Sequence, residues 1–292
     1  MTPETDSKVF LKRLEAEGKR RGFPPRFVEF YQKLSRIQSG AESRIGQVRP
    51  DLKKEEVNQR LISGSPLLVF DELALDWTLV QDILAQVVAL FAEYSDLLGA
   101  LPRNLKEMKP YPSLPKEVAK AWFEPTKLTE TTTFADTNEY LLFEAIIHAT
   151  LKPFLVSQAK ALISLVDQEN WRREYCPICG GRPDLAFLDK ERGSRWLMCS
   201  RCDTRWLYQR LQCPYCRTQD PDALYFLTDA TGLYRLYVCE QCRKYIKAID
   251  LRCTESEISL PLERILTLDM DRQAEEKDYR PGHSEAQVGT AD

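Results

Sequence analysis

The sequence predicts an α+β chain, with an N-terminal all-α helical domain followed by two tandem rubredoxin-like or zinc-ribbon β modules. Three observations carry this. Residues 1–168 place apolar side chains at helical spacing. Eight of the nine cysteines fall between positions 176 and 242, as four Cys-x-x-Cys pairs. Between and after those pairs, short runs alternate apolar and polar residues in the manner of strands. The expected divisions are a helical domain at 1–168, four-cysteine modules at 169–212 and 213–253, and a short helix with a flexible tail at 254–292.

Within the helical part, Lys8 to Arg21 is charged and amphipathic, and Pro24-Pro25 interrupts it. Pro25 suits the first position of a next helix through Ile37. A further charged segment is expected to be helical from Lys53 to Leu61. Ser63-Gly64-Ser65-Pro66 then forces a turn, with Leu67 to Phe70 as a buried hook behind it. It lacks the glycine and lysine spacing of a phosphate loop. The strongest helix is predicted over Thr78–Leu98, where Leu79, Ile83, Val87, Leu90, Tyr94 and Leu97 form a stripe that Val80, Leu84, Val88 and Phe91 widen. Prolines 102, 110, 112 and 115 leave no room for a long helix between Gly99 and Pro115. Shorter helices follow at Lys116–Phe123, at Asn138–Leu151, and from Pro153 to Val166. No catalytic constellation is visible here, and His148, between Ile147 and Ala149, reads as a packed histidine.

The cysteine pairs are Cys176/Cys179, Cys199/Cys202, Cys213/Cys216 and Cys239/Cys242. Two intervening residues let both thiolates of one tight knuckle face one ion, and a second knuckle completes a tetrahedron. Hairpins are expected at Leu185–Leu188 with Ser194–Met198, and at Ala223–Leu227 with Leu233–Val238. A strand runs through Trp206 and Tyr208, and another over Tyr245–Leu251. The order knuckle, hairpin, knuckle, strand thus occurs twice. The first and second pairs should share one ion, and the third and fourth another. The ten residues between Cys202 and Cys213 can span roughly 33 Å, which keeps the two ions separate. Four sulfurs leave no open position for water, so a structural role is favoured over a catalytic one. Zinc and iron both accept such a site. Cys253 stands alone and reads as a small buried hydrophobe. A helix is expected over Leu260–Met270, and disorder from Gly282 onward.

Composition bounds the function. The chain is 43% hydrophobic and 29% charged, and it has no unbroken run of 18 apolar residues, so no membrane span is expected. Met1 to Asp6 is polar and acidic, unlike a secretory leader. A cytoplasmic chain with reduced thiols follows as the expectation. Only His148 and His283 occur, which disfavours histidine acid–base chemistry and makes the metal sites all-sulfur. Residues 171–253 carry 15 basic against 10 acidic side chains. Eight thiolates with two divalent ions reduce that excess to about +1, a poor footprint for a phosphate backbone. Nucleic acid is therefore an unfavoured partner, and the sequence leaves a homodimer open.

The cysteine region resembles the FdhE family of formate dehydrogenase accessory proteins. The resemblance is carried by Cys176-Pro177-Ile178-Cys179-Gly180 with Pro183, by Cys199-Ser200-Arg201-Cys202-Asp203-Thr204-Arg205-Trp206, by Cys213-Pro214-Tyr215-Cys216, and by Cys239-Glu240-Gln241-Cys242 with Tyr245-Ile246-Lys247. It covers the last 120 residues well, and the helical part only loosely, at Gly64-Ser65-Pro66-Leu67. Arg243 stands where the family often has glycine, and Leu260-Pro261-Leu262 replaces an acidic stretch. The resemblance implies a metal-binding cytoplasmic assembly chaperone, not an enzyme, that acts on the catalytic subunit of respiratory formate dehydrogenase before export. It also implies iron as the ion on the eight cysteines. The alternatives are a zinc-ribbon protein of nucleic-acid or transcription machinery, and a rubredoxin-type electron carrier.

Overall fold

A computed structural model describes residues 3–46, 52–106, 113–124, 132 and 134–282. His283, Pro110, Pro112 and the tail beyond Gly282 lie outside the described residues. The helices are α1 (Pro3–Arg21), α2 (Pro25–Ile45), α3 (Lys54–Ser63), α4 (Trp77–Glu93), α5 (Ser95–Leu98), α6 (Arg103–Lys106), α7 (Lys116–Phe123), α8 (Thr137–Leu162), α9 (Leu260–Leu266) and α10 (Leu268–Glu275). The strands are β1 (Pro183–Leu188), β2 (Arg195–Cys199), β3 (Arg205–Leu207), β4 (Leu224–Thr228), β5 (Tyr234–Cys239), β6 (Lys244–Asp250) and β7 (Arg280–Pro281). The predicted α+β class is present. The chain divides into two compact units, one from residues within 1–48 and 69–157, the other from residues within 49–68 and 158–285.

The first unit is helical. Pro25 occupies the start of α2, where its missing N–H is not needed. Asp76 caps α4 by accepting from Thr78 N and Leu79 N at 3.0 and 3.1 Å. Leu79, Val80, Ile83, Leu84, Val87 and Phe91 are buried along α4. The helix predicted to Leu98 breaks at Tyr94, whose backbone leaves helical geometry (φ −107°, ψ 29°). Tyr94 is fully buried, with the Arg26 guanidinium over its ring at 4.6 Å and Phe30 edge-on at 5.6 Å. Packing of that ring outweighs helical continuity.

Helix α8 runs unbroken through Pro153, where two helices were expected. Proline removes the hydrogen bond to the carbonyl four residues earlier, that of Ala149. Gln38 Nε2 on α2 donates to that same carbonyl at 3.1 Å. The buried series Phe143, Ile146, Ile147, Phe154 and Leu155 then supports the helix on both sides of the proline. Gln38→Ala is expected to cost about 1 kcal/mol by orphaning a buried carbonyl, read by urea unfolding. The segment Thr137–Leu165 is long and apolar enough to cross a membrane, but 56% of its most apolar window is buried inside the protein. His148 is half-buried, its ring 6.0 Å from that of Trp122.

The second unit is built on one sheet ordered β3-β2-β1-β6-β5-β4, with β7 beside β6. Each cysteine repeat supplies three antiparallel strands, and β1 joins β6 in parallel, Leu185 opposite Lys247 and Phe187 opposite Ile249. The repeats are therefore laid head to tail within one sheet. One face buries Leu185, Phe187, Met198 and Ile249 against Leu260 of α9. Farther along, Leu236, Val238 and Tyr245 pack on Met270 and Ala274 of α10 and on Tyr279. The helix expected over Leu260–Met270 is thus two short ones hinged at Thr267. Lys247 is buried and reaches Asp271 at 2.6 Å, while its ammonium also lies 3.4 Å from the carbonyls of Arg264 and Thr267. Gly282, expected to begin a disordered tail, is instead buried against Tyr215. A Cβ there would fall 2.0–2.3 Å from the Tyr215 ring carbons, so only glycine fits.

Candidate metal centres

The four knuckles share one local design. In each, the residue after the second cysteine takes the left-handed conformation: Gly180 (φ 71°), Asp203 (58°), Arg217 (66°) and Arg243 (53°). That turn lets the following N–H groups fold back. Gly180 N and Arg217 N donate to the carbonyls of Cys176 and Cys213 at 3.0 Å, and Arg243 N to that of Cys239 at 2.9 Å. The N–H two residues beyond the leading cysteine also points at its sulfur, at 3.4 Å for Ile178 on Cys176, Arg201 on Cys199 and Tyr215 on Cys213. Backbone dipoles thus converge on sulfur before any ion is considered. A non-glycine residue in this conformation costs about 1–2 kcal/mol. Arg217 is exposed, so Arg217→Gly is expected to stabilise by about 1 kcal/mol and raise the melting temperature by about 2–4 °C.

The knuckles come together as the spacing predicts, first with second and third with fourth. Cys176, Cys179, Cys199 and Cys202 form one quartet, and Cys213, Cys216, Cys239 and Cys242 the other, with the sulfurs of each all within 4.8 Å of one another. In the first, Cys176–Cys202 is 3.6 Å, and Cys179 lies 3.4 Å from both Cys199 and Cys202. In the second, Cys213–Cys242 is 3.7 Å and Cys216–Cys239 is 3.6 Å. Four thiolates about 2.3 Å from one tetrahedral ion sit about 3.8 Å apart, close to these separations. No cysteine is in a disulfide. Each quartet could hold one metal ion, and the all-sulfur donor set fits zinc or iron alike.

Four thiols this close cannot all ionise without a cation. Burial pushes Cys176 and Cys202 well above the ordinary thiol range. A hydrogen bond from Cys242 brings Cys213 down to about 5, and the same contact pushes Cys242 up. Metal entry therefore displaces protons.

The quartets differ in shelter. All four cysteines of the first are buried, whereas Cys216 and Cys242 of the second are half-exposed. Around the first, Leu67 N and Leu68 N donate to the carbonyls of Pro177 and Ile178 at 2.9 and 2.8 Å. Trp206 is fully buried and donates to the Arg173 carbonyl at 2.9 Å. From α9, Arg264 pairs with Asp184 and Asp203, each at 2.6 Å, and donates to the Cys199 carbonyl at 2.9 Å. At the second, Tyr215 donates to the Pro183 carbonyl at 3.0 Å, tying the third knuckle to β1. Sequence reasoning missed Arg264. Its only signal was the charged pair Glu263-Arg264 among apolar residues, which resembles an ordinary surface face. Cys253, expected to be buried, is exposed at the end of a short turn after β6, because Leu251–Cys253 leaves the sheet there.

A profile described as FdhE, central domain, matches residues 175–210. Among curated relatives, the Protein FdhE homolog of Aquifex aeolicus is 37% identical over 118 residues, covering 39% of this chain and 41% of that protein. The homolog of Stutzerimonas stutzeri is 34% identical over 130 residues, covering 40% and 42%. Protein FdhE of Escherichia coli is 26% identical over 110 residues, covering 37% and 35%. The aligned stretches thus span less than half the length of these relatives. The crystal structure of the FdhE protein from Pseudomonas aeruginosa shares the fold, with a TM-score of 0.63, 19% identity and 98% of each chain covered.

Proposed function

We propose that this chain, which belongs to the FdhE family, is a cytoplasmic assembly chaperone for the catalytic subunit of respiratory formate dehydrogenase, acting before export. The observation that carries this reading is the pair of closed four-sulfur quartets within one sheet, in a chain of that family. In this reading Cys176, Cys179, Cys199 and Cys202 ligate one ion, and Cys213, Cys216, Cys239 and Cys242 a second. The ion is iron by family, with zinc as the alternative. Its role is to hold the binding platform in shape, and no catalytic step is assigned to the chain. The helical domain at 1–168, the modules at 169–212 and 213–253, and the segment at 254–292 are the working divisions of this proposal.

The test is affinity capture from anaerobic extracts of cells expressing the tagged full chain. The formate dehydrogenase catalytic subunit is expected with the wild type and is expected to be lost when Cys199 and Cys239 are both replaced by serine. Recovery of nucleic acid with no formate dehydrogenase subunit would reject the proposal in favour of a transcription-associated zinc ribbon. A reversible visible bleach on reduction, with no subunit captured, would favour an electron carrier.

A further inference from the structure

The two faces of the sheet are unlike over β5 and β6. One is covered by α10, as described. On the other, Phe226, Arg235, Tyr237 and Ile246 share a side by register, as do Leu188 and Arg195 farther along. A cavity of about 250 Å³ opens on this face beside the second quartet, with Cys213 and Cys239 in its wall. Its lining contains Arg195, Arg210, Arg235 and Lys244 but no aspartate or glutamate. Among the described residues, Arg195, Arg210 and Lys244 form no ion pair with a carboxylate.

Arg195 is the telling residue. It is 3% exposed. One guanidinium nitrogen serves the carbonyls of Gln209 and Gln212, and its Nε has no hydrogen-bond partner in the protein. The Nε of Arg235 is likewise buried without a partner, although the other end of that side chain pairs with Asp250. A buried cationic N–H left without an acceptor is costly, and the two arginines that carry such groups both line this cavity. Beside them lie flat apolar surfaces. The Phe226 and Tyr237 rings are 5.4 Å apart, and the Arg235 guanidinium lies 4.9 Å over Phe226. Phe226 is 49% exposed, so an arriving ring can reach it.

We propose that this cavity binds a small ligand of the nucleotide class, with its anionic group on Arg195 and Arg235 and its ring against Phe226 and Tyr237. The exposed Arg210 and the half-buried Lys244 add positive charge at the same lining. The volume lies just below the usual range of ligand pockets, roughly 300 to 1,000 Å³. That size suits a mononucleotide and not a polymer. The site shares a wall with the second quartet and so relies on that quartet's fold, but not on the client named in the chaperone reading.

The test is isothermal titration calorimetry on the metal-loaded full chain, kept anaerobic, with AMP, GMP, CMP and UMP as probes. Adenosine and inorganic phosphate serve as the two halves of the first. At least one nucleotide is expected to bind one per chain, tenfold or more tightly than either half. Arg210→Glu and Phe226→Ala, both on exposed side chains, are each expected to weaken it tenfold or more with the metal content of the wild type. Binding no tighter than phosphate alone, or binding unchanged in both variants, would overturn the assignment. A ten-nucleotide single strand that binds more than tenfold more tightly than the best mononucleotide would also overturn it, by showing a backbone track.

Discussion

Removing both ions with a strong chelator is expected to melt the sheet of the second unit while the helical signal of the first persists. A structural four-ligand ion supplies on the order of 10 kcal/mol to a small fold, comparable to the whole stability of an ordinary domain, about 5–15 kcal/mol. The strands cannot replace that. The longest has seven residues and β3 only three. Cys199 ends β2 and Cys239 ends β5, so an ion on each quartet would anchor a hairpin at its closure. Cys199→Ser alone is expected to empty the first quartet and release amide protection in β1–β3. Ion count by mass spectrometry, far-UV circular dichroism and hydrogen exchange read the effect together. Sheet amides that stay protected in metal-free protein would sink the structural role of the ions. Since Cys176, Cys202 and Cys242 hold their protons at neutral pH without metal, affinity is expected to fall as pH falls, with protons released on loading at pH 7.

Arg264→Ala is expected to destabilise the second unit by about 3–5 kcal/mol, the usual cost of breaking a buried ion pair from one side. Asp184 and Asp203 have side chains only 11% and 19% exposed, and both lose the Arg264 guanidinium. Asp203 also occupies the left-handed turn of the second knuckle, so the loss reaches the metal site through the backbone. Arg264→Lys keeps the charge but cannot serve two carboxylates and a carbonyl with one planar fork, and should fall between. Converting Asp184 and Asp203 to asparagine in the Arg264→Ala background should recover part of the stability. Urea unfolding measures this cycle, and additive losses would remove the network from the account.

The sequence showed the local chemistry and hid the long-range pairing. Two-residue spacing identifies knuckles, and the alternation of Leu185–Leu188 with Ser194–Met198 identifies a hairpin, because both signals lie within a few residues. The parallel pairing of β1 with β6 joins residues some 60 positions apart, and no local pattern encodes it. The same holds for the backbone of Leu67 and Leu68 on the first knuckle. Pro153 reads as a helix boundary until Gln38, on another helix, is seen to satisfy the freed carbonyl. Cys253 was misjudged because residue type says little about burial where a strand ends.

The unequal shelter of the two quartets has a kinetic consequence. An ion behind four buried sulfurs exchanges with the medium far more slowly than one held partly by half-exposed Cys216 and Cys242. A metal-loaded population would then drift toward molecules filled at the first position and vacant at the second. Stoichiometry measured on such a sample records its age, and a time course of isotope exchange would resolve two phases where a single assay reports one average.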